Sequence, residues 1–357
     1  MKTLLLITGA GASFDMVSGQ LRHGLVNESH RPLLTREIFS MRLEGHVTND
    51  LLHRSERAMY VAADFTARYE VGGGKNLEQY LDELKNSSII SMQDHYLVIP
   101  IFLRELFLDI SNAYLESGSN VQATNYYRLL MDFEMGKYER LIWFNLNYDL
   151  FGDRAIQNFM GNKQLFLKMS DYVNIKTKGG KEIYYLKPHG SVDWVHRIVP
   201  QNDTYIGNPI FYNENDIKIG NIPKNFYANY ISREIMTESE FDVHVKTGGK
   251  YPAISVPIGK YTPLKADHIN MVKPYLKNET DILCVGFSAL DDDIFEIINN
   301  EIVETNKLLI ITGDSDADDV IKRFKKKCSH KKLFEDTDII FREGFSRFIN
   351  TRSKTWL

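Results

Sequence analysis

Seven short apolar runs set the first limit on what this chain can fold into: residues 4–8, 141–146, 183–186, 253–256, 282–285, 308–312 and 338–341. Each is four to six residues long, none alternates strictly, and each ends in glycine or a polar loop. Runs of this kind suit strands buried on both faces, which implies a mainly parallel sheet covered by helices. The intervening segments agree with that reading. After 282–285 come Asp291-Asp292-Asp293 and then Ile294, Phe295, Ile297 and Ile298 at helical spacing. After 308–312 come Asp314 and Asp316, then a helix carrying Val320, Ile321 and Phe324. Carboxylates suit the positive end of a helix dipole, so both segments read as helix starts. Strand, polar turn, helix, strand predicts a doubly wound α/β sheet.

The stretch between the first two runs differs. Segments near 54–69, 77–84, 93–114 and 121–134 carry apolar residues at three and four spacing, with Gly72-Gly73-Gly74 as a break. They predict a large helical insertion over residues 41–139. A second irregular stretch, 202–250, is rich in Asn, Asp, Tyr and Gly and reads as loops or a small excursion. With 357 residues the chain can bury a sizeable core without a disulfide or metal staple. Its two cysteines, Cys284 and Cys328, exclude a four-cysteine zinc site, a disulfide framework and an iron–sulfur cluster. The net charge of −4 argues against a main role in coating nucleic acid or an acidic membrane. The apolar stretch at 3–7 is too short for a signal peptide and no run approaches a membrane span, so a cytoplasmic protein is the default expectation.

Four strand ends carry residues with chemical potential. The first strand runs into Gly9-Ala10-Gly11-Ala12-Ser13, which suits either a tight turn or close backbone approach to a pyrophosphate. Phe14 stands where a dehydrogenase fingerprint wants glycine or alanine, and no acidic residue ends a second strand at the required distance, which disfavours hydride transfer. Asn147-Tyr148-Asp149 follows the second run, either as a capping turn or as polar groups facing the crevice at the carboxyl ends of the strands. Lys187-Pro188-His189-Gly190-Ser191 offers a histidine as general base or as a loop residue satisfied by hydrogen bonds. Gly286-Phe287-Ser288 adds a further close backbone approach and a hydroxyl.

Taken in this order, the four strand ends resemble the NAD-binding core of the sirtuin-like family, from Gly9 to about Asp293. Three further stretches resemble its bacterial defence-associated branch. They are Arg31-Pro32-Leu33-Leu34-Thr35 with Phe39, Asn76-Leu77-Glu78-Gln79-Tyr80-Leu81, and Glu343-Gly344-Phe345-Ser346. The resemblance implies a Rossmann-like NAD-binding domain over 1–40 and 140–357, interrupted by the helical insertion. It implies that Gly9, Ala10, Gly11 and Ser13 cradle the pyrophosphate, and that Gly286 and Ser288 bind the adenosine half. Asn147 would position water or the nicotinamide ribose at the scissile N-glycosidic bond, Asp149 would hold the nicotinamide side, and His189 would contact the ribose hydroxyls and act as base.

Deacetylases of this family carry a four-cysteine zinc ribbon that two cysteines cannot build. The resemblance then implies NAD hydrolysis to nicotinamide and ADP-ribose, or a cyclised product, without a metal, in an anti-phage effector that depletes NAD. A silent-until-triggered enzyme further implies gating by a homo-oligomer or by a HerA-type ATPase partner, with the helical insertion as contact surface. The alternatives are a non-catalytic NAD or ADP-ribose sensor, and a zinc-free ADP-ribosyltransferase or deacylase. The basic run from Lys322 to Lys332 follows an acid-rich helix start and reads as a solvated face rather than a nucleic-acid patch.

Overall fold

The computed structural model describes residues 2–16, 28–40, 43–70, 77–116, 124–172, 174–197, 230–232, 250–255, 266–277, 279–335 and 338–357. Ten strands lie among them: β1 (Thr3–Thr8), β2 (Arg140–Asn145), β3 (Ile175–Lys176), β4 (Glu182–Leu186), β5 (Gly190–Arg197), β6 (Tyr230–Ile231), β7 (Lys250–Ile254), β8 (Thr280–Val285), β9 (Leu308–Ile311) and β10 (Ile340–Phe341). Seven form one sheet in the order β10-β9-β8-β1-β2-β4-β3. Every pairing in it is parallel except the edge pair β3–β4. Leaving out β3, the chain winds outward from β1 through β2 to β4, then returns to the other side of β1 for β8, β9 and β10. This is the strand order of a doubly wound, Rossmann-like sheet, and the expected fold class is borne out.

The central strands form because their residues fit nowhere else. All six residues of β1, β2 and β8 are buried, the consequence of helices on both faces. Leu4, Leu5, Leu6 and Ile7 are wholly inaccessible, each stabilising the fold by about 1.5–3 kcal/mol relative to exposure. The covering helices include α6 (Asn125–Met135), α7 (Phe151–Met160), α8 (Ala266–Leu276), α9 (Asp292–Glu301), α10 (Ala317–Lys327), α11 (Gly344–Thr351) and α12 (Ser353–Trp356), while α1 (Ala10–Phe14) is a short turn of helix directly after β1.

The helical block holds α2 (Val47–Arg54), α3 (Glu56–Phe65), α4 (Leu77–Lys85) and α5 (Ile90–Glu116). In α4 the buried residues Leu77, Tyr80, Leu81 and Leu84 recur at three and four spacing. Helix α5 is the spine of the block, apolar on nearly all sides, with Pro100 inside it. It packs on the small sheet β6-β5-β7. Buried Arg104 of α5 donates from Nε to the Val192 carbonyl (2.8 Å) and from Nη2 to the Ser232 carbonyl (2.8 Å). One continuous core runs through the block and the main sheet. The last helical stretch before β2, α6, lies on the main sheet, with Tyr126 against Trp143 of β2.

The run at 253–256 departs from expectation. Instead of joining the parallel sheet, Ala253 and Ile254 belong to β7, antiparallel to β5 in the small sheet, while Val256 lies outside the described residues. A short apolar run signals a strand, but periodicity does not say which sheet takes it. Of the irregular stretch 202–250, residues 230–231 form β6 and Lys250 opens β7, while most of it lies outside the described residues. Among the described residues no helix is long and apolar enough to cross a membrane.

Candidate active site

The chain reverses direction across the sheet between β1 and β8, and ligands of such sheets bind outside the carboxyl ends of the strands at that point. There the loops after β1 and β8 are in backbone contact. Gly9 N donates to Val285 O (3.0 Å) and Gly11 N to Gly286 O (3.2 Å). Gly286 sits at φ +58°, where a Cβ would lie 2.1 Å from Ala12 N and 2.4 Å from the Gly11 carbonyl carbon. A Cβ on Gly11 would in turn meet the Gly286 Cα at 2.9 Å. The glycines therefore serve first to let the two loops touch, and the amides of Gly9, Gly11 and Ala12 are engaged within the protein. Ala10 opens α1, so its N–H has no intrahelical acceptor.

Beside this contact Ser13, Asn147, Asp149 and Tyr126 form a buried polar cluster. Asn147 Nδ2 donates to the Gly9 carbonyl (3.0 Å) and to Ser13 Oγ (2.9 Å), with Tyr126 Oη at 3.3 Å. Ser13 Oγ and Tyr126 Oη share a hydrogen bond of 3.0 Å. With its nitrogen committed, Asn147 has its amide oxygen left to accept from a ligand. Asp149 Oδ1 accepts from Phe151 N (3.1 Å), a side-chain turn two residues long between the end of β2 and the start of α7. Burial pushes the Asp149 carboxyl above the ordinary carboxylate range, against the opposing pull of Lys187 and the Ser13 hydroxyl. Burial, reinforced by the Asp149 charge, likewise pushes the Tyr126 hydroxyl well up.

His189 stands between the end of β4 and the start of β5. Its Nε2 lies 2.6 Å from Asp291 Oδ2, across the cleft at the head of α9. The other oxygen of the same carboxylate, Oδ1, accepts from Asp293 N (3.0 Å) and Ile294 N (3.2 Å) and caps that helix. Burial alone would raise the Asp291 carboxyl, but the His189 contact and the two amides hold it below the usual range. His189 Nδ1 hydrogen-bonds no other described residue. Lys187, fully buried behind it, donates to the Asp149 carbonyl (2.7 Å), Asp153 Oδ2 (3.0 Å) and Ser191 Oγ (2.7 Å). Ser288 is exposed, and its carbonyl accepts from Arg323 Nη1 (3.0 Å).

Gly9, Ala10, Gly11, Ser13, Asn147, Asp149, His189, Gly286 and Ser288 all line one cleft of about 1720 Å³. That exceeds the roughly 300–1,000 Å³ of an ordinary small-molecule site. The opposite wall comes from residues 32–40 and from Phe65, Leu77, Leu81, Leu103 and Phe107 of the helical block. Gly344 and Phe345 close one end, where Ser346 N and Oγ donate to the Asp15 carboxylate (2.8 and 2.6 Å). The three additional sequence stretches thus contribute to the same cleft as the strand ends.

Sequence reasoning passed over Tyr126 and Asp291 as site residues. Tyr126 sits in an amphipathic helix and carries no local sign of its contact with Ser13. Asp291 was legible as a helix start, and nothing in a capping pattern says that its second oxygen meets a histidine. Among the described residues no group of three or more His, Cys, Asp or Glu side chains is placed to hold a metal ion. Compared with known proteins, the chain matches no family model and no curated sequence.

Proposed function

We propose that this chain is an NAD hydrolase that cleaves the nicotinamide–ribose bond. The observation that carries the reading is the convergence of all nine residues named from the sequence on one cleft at the carboxyl ends of β1, β2, β4 and β8. A dinucleotide would lie across these strand ends with its pyrophosphate over the β1–β8 contact and its nicotinamide ribose toward Asn147 and His189. The C1′–N bond breaks with its electron pair going to the pyridinium nitrogen, so nicotinamide leaves neutral without an acid. Water forms the new C1′–O bond and yields its proton to His189 Nδ1, while the Asn147 amide oxygen orients that water or the ribose hydroxyls. Fixed dipoles and orientation supply the catalysis, as an oxocarbenium-like transition state requires.

By resemblance, the enzyme serves in anti-phage defence and waits on assembly with its own copies or with a HerA-type ATPase. The test incubates purified protein, with and without such partners, with NAD and follows nicotinamide release. Asn147→Ala and His189→Ala should each lower the rate about 10²-fold or more. Full activity in both variants would overturn the roles given to these residues. A sensor is the second reading, favoured because the Gly9, Gly11 and Asn147 donors are already engaged within the protein. It predicts NAD or ADP-ribose binding with no nicotinamide released under any condition.

A further inference from the structure

We infer that Asp291 is a positioning residue that fixes His189 as its Nε2–H tautomer and so presents a bare Nδ1 to the cleft as the proton acceptor. The inference rests on the reading of the cleft as an NAD-cleaving site. A neutral imidazole carries one N–H, and the nitrogen that holds it is set by the partner of that nitrogen. Asp291 Oδ2, at 2.6 Å from Nε2, is an acceptor without a proton, so the N–H belongs on Nε2. Nδ1 then carries a lone pair and hydrogen-bonds no described residue. The carboxylate itself is immobilised, because its other oxygen is tied to the Asp293 and Ile294 amides. Its position is therefore inherited from α9 rather than from a flexible rotamer.

The backbone that carries the ring is held as well. His189 O accepts from Ser255 N (2.8 Å), Gly190 N bonds back to Lys187 O (3.0 Å), and the Tyr148 ring lies 6.5 Å away. Tyr148 is itself anchored by donation from Oη to Ser255 O (2.7 Å). The pair thus joins the two halves of the winding, β4 on one side of β1 and β8 with α9 on the other. A base assembled this way takes the proton of water, and the imidazolium that forms faces a carboxylate already charged.

Asp291→Asn tests this with little change of shape. Asparagine keeps an oxygen for the Asp293 and Ile294 amides and turns an N–H₂ toward Nε2. That reverses the tautomer and puts the proton on Nδ1. With NAD as substrate, kcat should fall about 10²–10⁴-fold while KM changes less than about threefold. In parallel, ¹⁵N-histidine NMR of the whole protein, with the His189 signal assigned by its loss in His189→Gln, reads the tautomer directly. A protonated Nε2 in the native protein and its loss in Asp291→Asn support the inference. A native His189 protonated on Nδ1, the same tautomer in both proteins, or an undiminished kcat in the variant overturns it. If the native protein releases no nicotinamide, the hydrolase reading fails by itself, and the NMR comparison still decides the tautomer.

Discussion

Asp149 and Asp291, two carboxylates on the same cleft, are pushed in opposite directions. Burial raises Asp149, so its charge at neutral pH opposes folding, and that penalty is relieved as pH falls through its folded-state value. Asp291 is held low despite burial, by His189 and two backbone amides. A carboxyl lowered on folding adds stability that is complete above the unfolded value, near about 3.9, and is lost as pH falls through the folded one. Asp291→Asn removes this increment at every pH. In urea unfolding the native protein should be the more stable at pH ~7, and the two midpoints should converge below pH ~4. A gap that persists undiminished at pH ~3 would assign the effect to packing instead. At this scale the sequence was half legible. Asn147 and His189 declared themselves because polar residues directly after buried runs are conspicuous, whereas Tyr126 and Asp291 act through contacts with residues far away in the chain.

The elements that make the cleft are held in register by contacts between strand ends. Gly-x-Gly after β1 could be read as a turn or a phosphate loop, and the structure gives it a third reason, contact with the loop after β8. Gly286→Ala should break that contact, because its Cβ would fall on the backbone of Gly11 and Ala12, which cannot swing aside. Strain at positive φ costs of order 1–3 kcal/mol, and the clash adds to it, so a loss above about 2 kcal/mol is expected in urea unfolding. Gly313→Ala is the control on the neighbouring strand end, since nothing lies within 4 Å of its Cβ position. Its effect should stay within about 0.5 kcal/mol, and equal losses in both would refute the contact argument. Beneath the loops a buried relay reinforces the same ends. Trp143 Nε1 donates to Thr8 Oγ1 (2.8 Å), Thr8 to Asn145 Oδ1 (3.0 Å), and Asn145 Nδ2 to Tyr185 Oη (2.6 Å). Tyr185 then donates to Asp153 (3.0 Å), which also takes Lys187. Such a network is stiff only when every member is satisfied. The strands themselves were readable from burial on both faces. The sheet membership of β7 was not, because a short apolar run does not name the strand it pairs with.

At the scale of the molecule, the cleft belongs to neither half. The sheet supplies the polar strand ends, while residues 32–40 and the helical block supply the apolar wall through Leu33, Phe39, Leu77, Leu81 and Phe107. Arg31 ties that wall together through a paired contact with Glu37 (3.0 and 2.7 Å), and its guanidinium sits 5.2 Å from the Phe14 ring centre. Sequence periodicity gave the helices but could not assign their apolar faces, since a face that covers a cleft looks like one that covers a core. A ligand filling the cleft must therefore stabilise both halves at once. ADP-ribose, the product of the proposed reaction, separates binding from turnover. At 100 times its Kd it should add about 2.7 kcal/mol and raise the melting temperature by several degrees. Hydrogen exchange should then slow in the loops after β1, β2 and β8, and also in residues 32–40 and in α4, which touch the cleft only from the helical side. Protection confined to the sheet loops would mean that the helical wall is no part of the site. Protection that spreads to α4 would make the helical block a working half of the binding cleft, because its exchange would be coupled to a ligand held by the strand ends.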